Sequence, residues 1–419
     1  MTALLNIDDL NDFIAPGQDC ILPFSTKKTT ESTGYEVSKE PQASTQISLN
    51  DCLACSGCIT SAESVLISQQ SHLEVLHAMK MHPEKTFVMS IAPQTIASFA
   101  TYFGISYESA WSKMCALWKG LGFTYVLDTN LARELVLSQV LSEFKTRRQP
   151  LLSSACPGFI CYAEKSHPHL LPFISKTKSP QSITGRMIKS RIENVYHVAC
   201  MPCFDKKLEA ARDDDVDCVI TPIEILSLLE EKATEFSSLP EESAKLPNWW
   251  KTIPQHPGSS SGGYAHHVLT SQPGSAVEKP SRNTDMKEWT TENGIRVAQC
   301  FGFRNIQNLV RKLKRGNCSW DYVEVMACPS GCVNGGGQLR APLANTSTNG
   351  KEWAKKVDSM YRQPPTKPGE AEWAEVFLDD WATHCHVSRD IVDDWCRVDG
   401  YKAVEGVVGG GVSLAGVKW

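Results

Sequence analysis

Apolar residues along the chain gather in short unbroken runs at 87–91, 125–127, 151–155, 195–199 and 218–220. Between them lie segments with helical spacing at 107–120, 131–145, 205–212 and 222–232. Unbroken runs of this length, rather than strict alternation, predict strands buried on both faces of a parallel sheet. Their alternation with helices predicts an α/β lobe. Further on, strands near 295–299 and 322–327 flank a helix near 303–315, which predicts a second lobe. Residues 270–287 are polar and interrupted by Pro273 and Pro280, and receive no element. The stretch 236–262, with Ser, Pro and Gly, reads as a linker or long loop, and 26–50, rich in Ser, Thr, Glu and Lys, as a mobile loop. Helices near 350–361 and 371–381 precede a glycine-rich tail, 406–419, closed by Trp419. The organisation expected is an N-terminal region (1–80), a first α/β lobe (81–236), a linker and second α/β lobe (237–345), and a helical segment with a flexible tail (346–419).

Composition changes this picture at one point only. Hydrophobic residues at 42% and charged residues at 21% are ordinary for a globular chain. A net charge of -5 gives no reason to expect nucleic acid as a partner. The basic run 311–315 ends a predicted helix, where cations complement the helix dipole, so it reads as a solvated helix end. No apolar stretch has the length to span a bilayer, and the acidic start, with Asp8 and Asp9, lacks the basic and apolar regions of a signal peptide. The expected compartment is reducing: cytosol, and by extension nucleus. There, the sixteen cysteines point to metal or catalysis rather than to disulfides.

Eight of those cysteines form two sets. Cys52, Cys55 and Cys58 make a C-x-x-C-x-x-C run, in which two-residue spacing lets thiolates converge on one small cluster. The position four beyond Cys58, with three residues between, is Ala62, so Cys20, the only cysteine upstream, is the natural fourth ligand. A zinc site with the same four ligands is the alternative. The second set is Cys156, Cys203, Cys328 and Cys332, each just past a predicted strand end, where open α/β sheets build their sites. Proline or glycine adjoins all four, and Gly331 and Gly335–Gly337 are expected to let backbone approach a bulky inorganic group.

These three segments resemble the signatures of the catalytic domain of iron-only hydrogenases, T-S-C-C-P, M-P-C-x-x-K-x-x-E and M-A-C-x-x-G-C-x-x-G-G-G. Here they read Ser-Ser-Ala-Cys-Pro at 153–157, Met-Pro-Cys-Phe-Asp-Lys-Lys-Leu-Glu at 201–209, and the third from Met326. The likeness extends over most of 85–340, including Ala-Glu-Lys-Ser-His-Pro at 163–168 and Lys-Ser-Pro-Gln at 178–181. It implies a two-lobed iron-only-hydrogenase-like fold with parallel sheets, preceded by a small cluster-binding region. It also implies Cys156, Cys203, Cys328 and Cys332 as ligands of a cubane. With the N-terminal set, the cofactors expected are two 4Fe-4S clusters.

One departure selects the subfamily. The cysteine that hydrogenases place before the Cys156 position, as a proton relay, is here Ala155. A methyl group carries no proton, so acid catalysis there is lost. With the Cys20 set, this resembles the hydrogenase-like proteins of cytosolic iron–sulfur assembly, relatives of the nuclear prelamin A recognition factor. That likeness implies a non-catalytic role. The chain would link early scaffold proteins to the late targeting complex, with terminal Trp419 as a docking residue, although Lys418 stands where the family's signal tends to be acidic. The competing readings are a hydrogenase-type redox enzyme and a lamina-binding protein with structural clusters. After Leu269, where the family continues into a long helix and a further strand, this chain turns polar.

Other residues receive plainer expectations. Cys200 is mid-strand and expected to pack, as are Cys115, Cys218, Cys300 and Cys318. His384, Cys385 and His386 cannot share one helical face, so they and Cys396 are not expected to bind metal. Lys206 and Glu209 are expected to fix the second cluster loop by charge-assisted hydrogen bonds.

Overall fold

The computed structural model describes residues 61–342, 349–366 and 371–404. Cys20, Cys52, Cys55, Cys58 and Trp419, the expected loop at 26–50 and the glycine-rich tail lie outside the described residues.

Nine strands occur among the described residues: β1 (Thr86–Ile91), β2 (Tyr125–Asp128), β3 (Leu151–Ser153), β4 (Val195–Cys200), β5 (Cys218–Ile220), β6 (Ala276–Glu278), β7 (Met286–Thr291), β8 (Arg296–Phe301) and β9 (Tyr322–Met326). They form two sheets. The first has order β2-β1-β4-β5, all parallel, with Met89 opposite both Val126 and Val198. Its strands are buried on both faces: Phe87, Met89 and Ile91 enter one core, while Val88 enters another. This is why they read as unbroken apolar runs.

The second sheet has order β3-β9-β8-β7-β6. Here β3, β9 and β8 are parallel, while β7 and β6 add an antiparallel edge. The parallel sheets expected from the sequence are present, and the second sheet carries this antiparallel edge in addition. The hairpin also falls partly within 270–287, where no element was expected. All three residues of β6 are exposed and β7 is mostly half-buried, so neither carries an apolar run. Though it precedes β4 in the chain, β3 lies in the second sheet, so the two sheets interleave along the sequence.

Local signals set several helix limits. The helix Tyr107–Gly120 starts where the Ser109 N–H donates to the Ser106 hydroxyl at 3.1 Å. The helix Pro222–Glu231 carries Pro222 in its first turn and a capping box between Thr221 and Glu224. The helix Pro93–Phe103 packs against the helix Gly350–Tyr361, where Trp353 donates its indole N–H to the Leu339 carbonyl at 2.8 Å. At the chain's far side, the helix Ala371–His384 covers Asn130–Thr146. The Arg191 guanidinium there lies between Trp249 (4.8 Å) and Phe377 (5.2 Å).

The stretch 236–262 is a loop, as expected, but its second half is buried core rather than exposed linker: Gln255, His256, Ser260 and Ser261 are each at most 3% exposed. The basic run is a helix end as read, with Lys312 set 3.7 Å over the Trp320 ring. No helix among the described residues is long and apolar enough to cross a membrane.

Candidate metal centre

Three strand ends and one turn bring the second cysteine set together. Cys156 follows β3 and forms the N-cap of the helix Pro157–Ser166. Cys203 follows β4, and Cys328 follows β9. Cys332 opens a short 3-10 turn after Gly331. Cys156, Cys203 and Cys328 are buried, and Cys332 is half-buried. Because β4 belongs to the first sheet and β3 and β9 to the second, the four thiols meet at the carboxyl ends of both sheets.

The thiols lie within electrostatic reach of one another. Burial pushes Cys156 up to about 12, with Asp205 and Cys332 adding to it. Cys203 is raised well above the ordinary thiol range by burial first, then by Asp205, Cys328, Cys156 and Cys332. Cys328 is raised likewise by burial, Cys156 and Cys332. Four thiolates cannot coexist in such a pocket without a cationic group among them, which a metal centre supplies. Among the described residues, no three His, Cys, Asp or Glu side chains converge tightly enough to hold a single metal ion. The donor set itself is purely sulfur, the choice of soft iron–sulfur centres rather than of hard cations.

Glycine and serine close the pocket. A Cβ on Gly335 would lie 2.4 Å from the Pro202 carbonyl oxygen, and one on Gly331 would lie 2.1 Å from the Ser261 hydroxyl. These glycines therefore let the ligand-bearing loops pack on each other and on Ser261. The Cys332 N–H donates to the Ser261 hydroxyl at 2.9 Å, and burial raises the Cys332 thiol while the nearby Ser261 hydroxyl opposes that rise.

Around the thiols, charged groups are paired as expected. The Lys206 ammonium donates to Glu209 at 2.7 and 2.9 Å and to the Ser179 hydroxyl at 3.0 Å. Gln181 donates to the Lys206 carbonyl at 3.1 Å, and Lys178 bridges Asp213 (2.8 Å) and Asp215 (2.9 Å). The segment 178–181 thus braces the loop after Cys203.

Cys200, Cys115, Cys218 and Cys300 are fully buried core residues, and Cys318 is half-buried. Cys161, which sequence reasoning passed over, packs with Ile67, Phe204 and Leu208 and accepts from the Arg212 guanidinium at 3.4 Å. Beside it the Lys165 ammonium contacts Glu63 at 2.5 and 2.7 Å, both side chains at most 5% exposed. Through these contacts the helix Ser61–Gln69, which follows the N-terminal cysteine run, seats on the helix capped by Cys156. Only the offset of Cys161 from Cys156 could have marked it, and that offset has no ligand spacing.

Residues 85–336 match the family model described as the C-terminal domain of the iron-only hydrogenase large subunit. Among solved structures, the FeFe-hydrogenase HydA1 from Chlamydomonas reinhardtii superposes with a TM-score of 0.66 at 22% identity, covering 80% of this chain and 99% of that one. This likeness shows the fold. Closer in sequence is "Cytosolic Fe-S cluster assembly factor NAR1" of Yarrowia lipolytica, 41% identical over 91% of this chain and 94% of the relative. "Cytosolic Fe-S cluster assembly factor narfl" of Xenopus tropicalis is 39% identical over 91% and 92%. "Cytosolic iron-sulfur assembly component 3" of Rattus norvegicus is 40% identical over 90% and 92%. With the iron-only hydrogenase fold and relatives of this similarity over nearly their whole length, the chain belongs to the family of cytosolic iron–sulfur cluster assembly factors.

Proposed function

We propose that the chain holds two 4Fe-4S clusters and acts in the assembly of cytosolic iron–sulfur proteins without catalysing a redox reaction of its own. The observation that carries this is the meeting of four thiols, three buried and Cys332 half-buried, from the ends of β3, β4 and β9 and the following turn, within electrostatic reach of one another. Cys156, Cys203, Cys328 and Cys332 would hold one cluster, and Cys20, Cys52, Cys55 and Cys58 the other. A full set of four thiolates leaves no open coordination position for substrate. Ala155, half-buried beside Cys156, offers no proton to a reacting group, which supports a non-catalytic role.

In this reading the protein works in the cytosol, as the names of its relatives state for them, and serves nuclear recipients too. It links early scaffold proteins to the late targeting complex that delivers clusters to apoproteins, with Trp419 as the docking residue. The test is complementation in cells depleted of their own assembly factor. Wild-type chain should restore a cytosolic iron–sulfur enzyme, and the double variant Cys156→Ala/Cys328→Ala should not, with mitochondrial iron–sulfur enzymes unaffected in both. Full restoration by the double variant would overturn the proposal.

A further inference from the structure

The loop Ser259–Gly263, on neither strand nor helix, is tied down by side-chain hydrogen bonds. The Ser259 hydroxyl donates to Glu324, a fully buried carboxylate on β9, whose other oxygen accepts from the Ala265 N–H at 2.9 Å. Ser259 in turn accepts from the N–H groups of Ser261 (3.3 Å) and Gly263 (3.2 Å). From the first lobe, Gln94 donates to the Ser260 carbonyl at 2.7 Å. Ser261, 3% exposed, is therefore fixed from both sides, and its hydroxyl sits in the space that Gly331 leaves by having no side chain. Gly331 itself has φ 78°, so neither its backbone nor its surroundings admit another residue. The hydroxyl oxygen accepts the Cys332 N–H at 2.9 Å, which leaves its own proton for an acceptor.

We infer that Ser261 is a positioning residue for the Cys332 ligand: its oxygen fixes the Cys332 backbone, the proton left over from that bond is offered to the sulfurs of the cluster held there, and the hydroxyl thereby sets that cluster's reduction potential. This rests on the proposed cluster at the four thiols. Hydrogen bonds to ligand sulfurs favour the more negative, reduced state of an iron–sulfur centre and so raise its potential. Residues outside the ligand set tune a metal in this way while leaving its coordination intact.

The experiment is a redox titration of full-length, anaerobically reconstituted protein followed by electron paramagnetic resonance. The signal absent from Cys328→Ala belongs to the second cluster. Ser261→Ala should lower its reduced-to-oxidised ratio at fixed potential about tenfold, a shift of ~59 mV to more negative values for one electron. Ser261→Thr, which keeps the hydroxyl, should restore the wild-type value. A second cluster lost in Ser261→Ala but kept in Ser261→Thr supports the inference too. An unshifted potential in a loaded Ser261→Ala protein, or equal shifts or equal cluster loss in both variants, overturns it. A wild-type protein with no signal that depends on Cys328 refutes the cluster itself instead.

Discussion

Gly335→Ala isolates the packing of one ligand loop on another. Gly335 lies three residues after Cys332 with φ -60° and ψ 151°, a conformation alanine adopts freely. Any effect must therefore come from space. The new Cβ would lie 2.4 Å from the Pro202 oxygen, 3.0 Å from its carbonyl carbon and 3.2 Å from the Cys332 oxygen. All three are backbone atoms, so no side chain can swing aside, and the Cys203 and Cys332 loops must part by about 1 Å to reach ordinary contact. Overpacking of this kind costs about 1–3 kcal/mol. The Gly337 N–H bond to the same Pro202 oxygen, 3.0 Å long, is lost with it, at about 1 kcal/mol. The lower entropy of the unfolded alanine chain offsets about 0.4–1 kcal/mol. The net is a destabilisation of about 2 kcal/mol, read by urea denaturation of the apoprotein, with reduced iron in the second cluster after reconstitution. Gly120→Ala, at a helix end with nothing within 4 Å, is the control. A Gly335→Ala protein as stable as this control, and fully loaded, would show that the two ligand loops do not pack on Gly335.

Three further outcomes are expected. His197 is fully buried between the Ser90 hydroxyl (2.8 Å) and the Asp215 carbonyl (3.2 Å), and burial lowers it to about 4. The unfolded chain then binds more protons below pH 6.5, so stability falls as pH drops from about 6.5 to about 4, by about 3 kcal/mol. Urea titrations across that window should show the slope, and His197→Gln should flatten it; equal slopes would exclude His197. The purified protein should evolve no hydrogen with a reduced viologen as donor, because Ala155 supplies no proton, and measurable evolution would contradict a non-catalytic site. Deleting Trp419 should abolish capture of the late targeting complex in a pull-down with both clusters loaded, and undiminished capture would leave the tail without that role.

The parallel core was legible because buried strands leave unbroken apolar runs: β1, β2, β4, β5, β8 and β9 fall within two residues of the runs that predicted them. Their assignment to sheets was not. Nothing local to Leu151–Ser153 says that β3 pairs with a strand 171 residues later, Leu151 opposite Tyr322. The helix Pro157–Ser166 escaped because its first nine residues are all buried, which erases the helical period. The hairpin of β6 and β7 escaped for the opposite reason, exposure at a sheet edge.

The second cysteine set was legible through proline and glycine beside each residue and through its resemblance to hydrogenase signatures. The partners of those cysteines were not. Ser261 sits in a Gly-Ser-Ser-Ser-Gly-Gly stretch whose composition is that of an exposed linker. Only its burial, through Glu324 and Gln94, reveals it as part of the site.

In the proposed reading, eight cysteines hold two independent 4Fe-4S clusters. Iron and acid-labile sulfide, measured on anaerobically purified wild-type, Cys58→Ala and Cys328→Ala proteins, test it most directly. About eight iron and eight sulfide per wild-type chain, and about half of each in either variant, are expected. Each variant should lose a different electron paramagnetic resonance signal. Stoichiometric zinc without sulfide in the wild-type protein would contradict it.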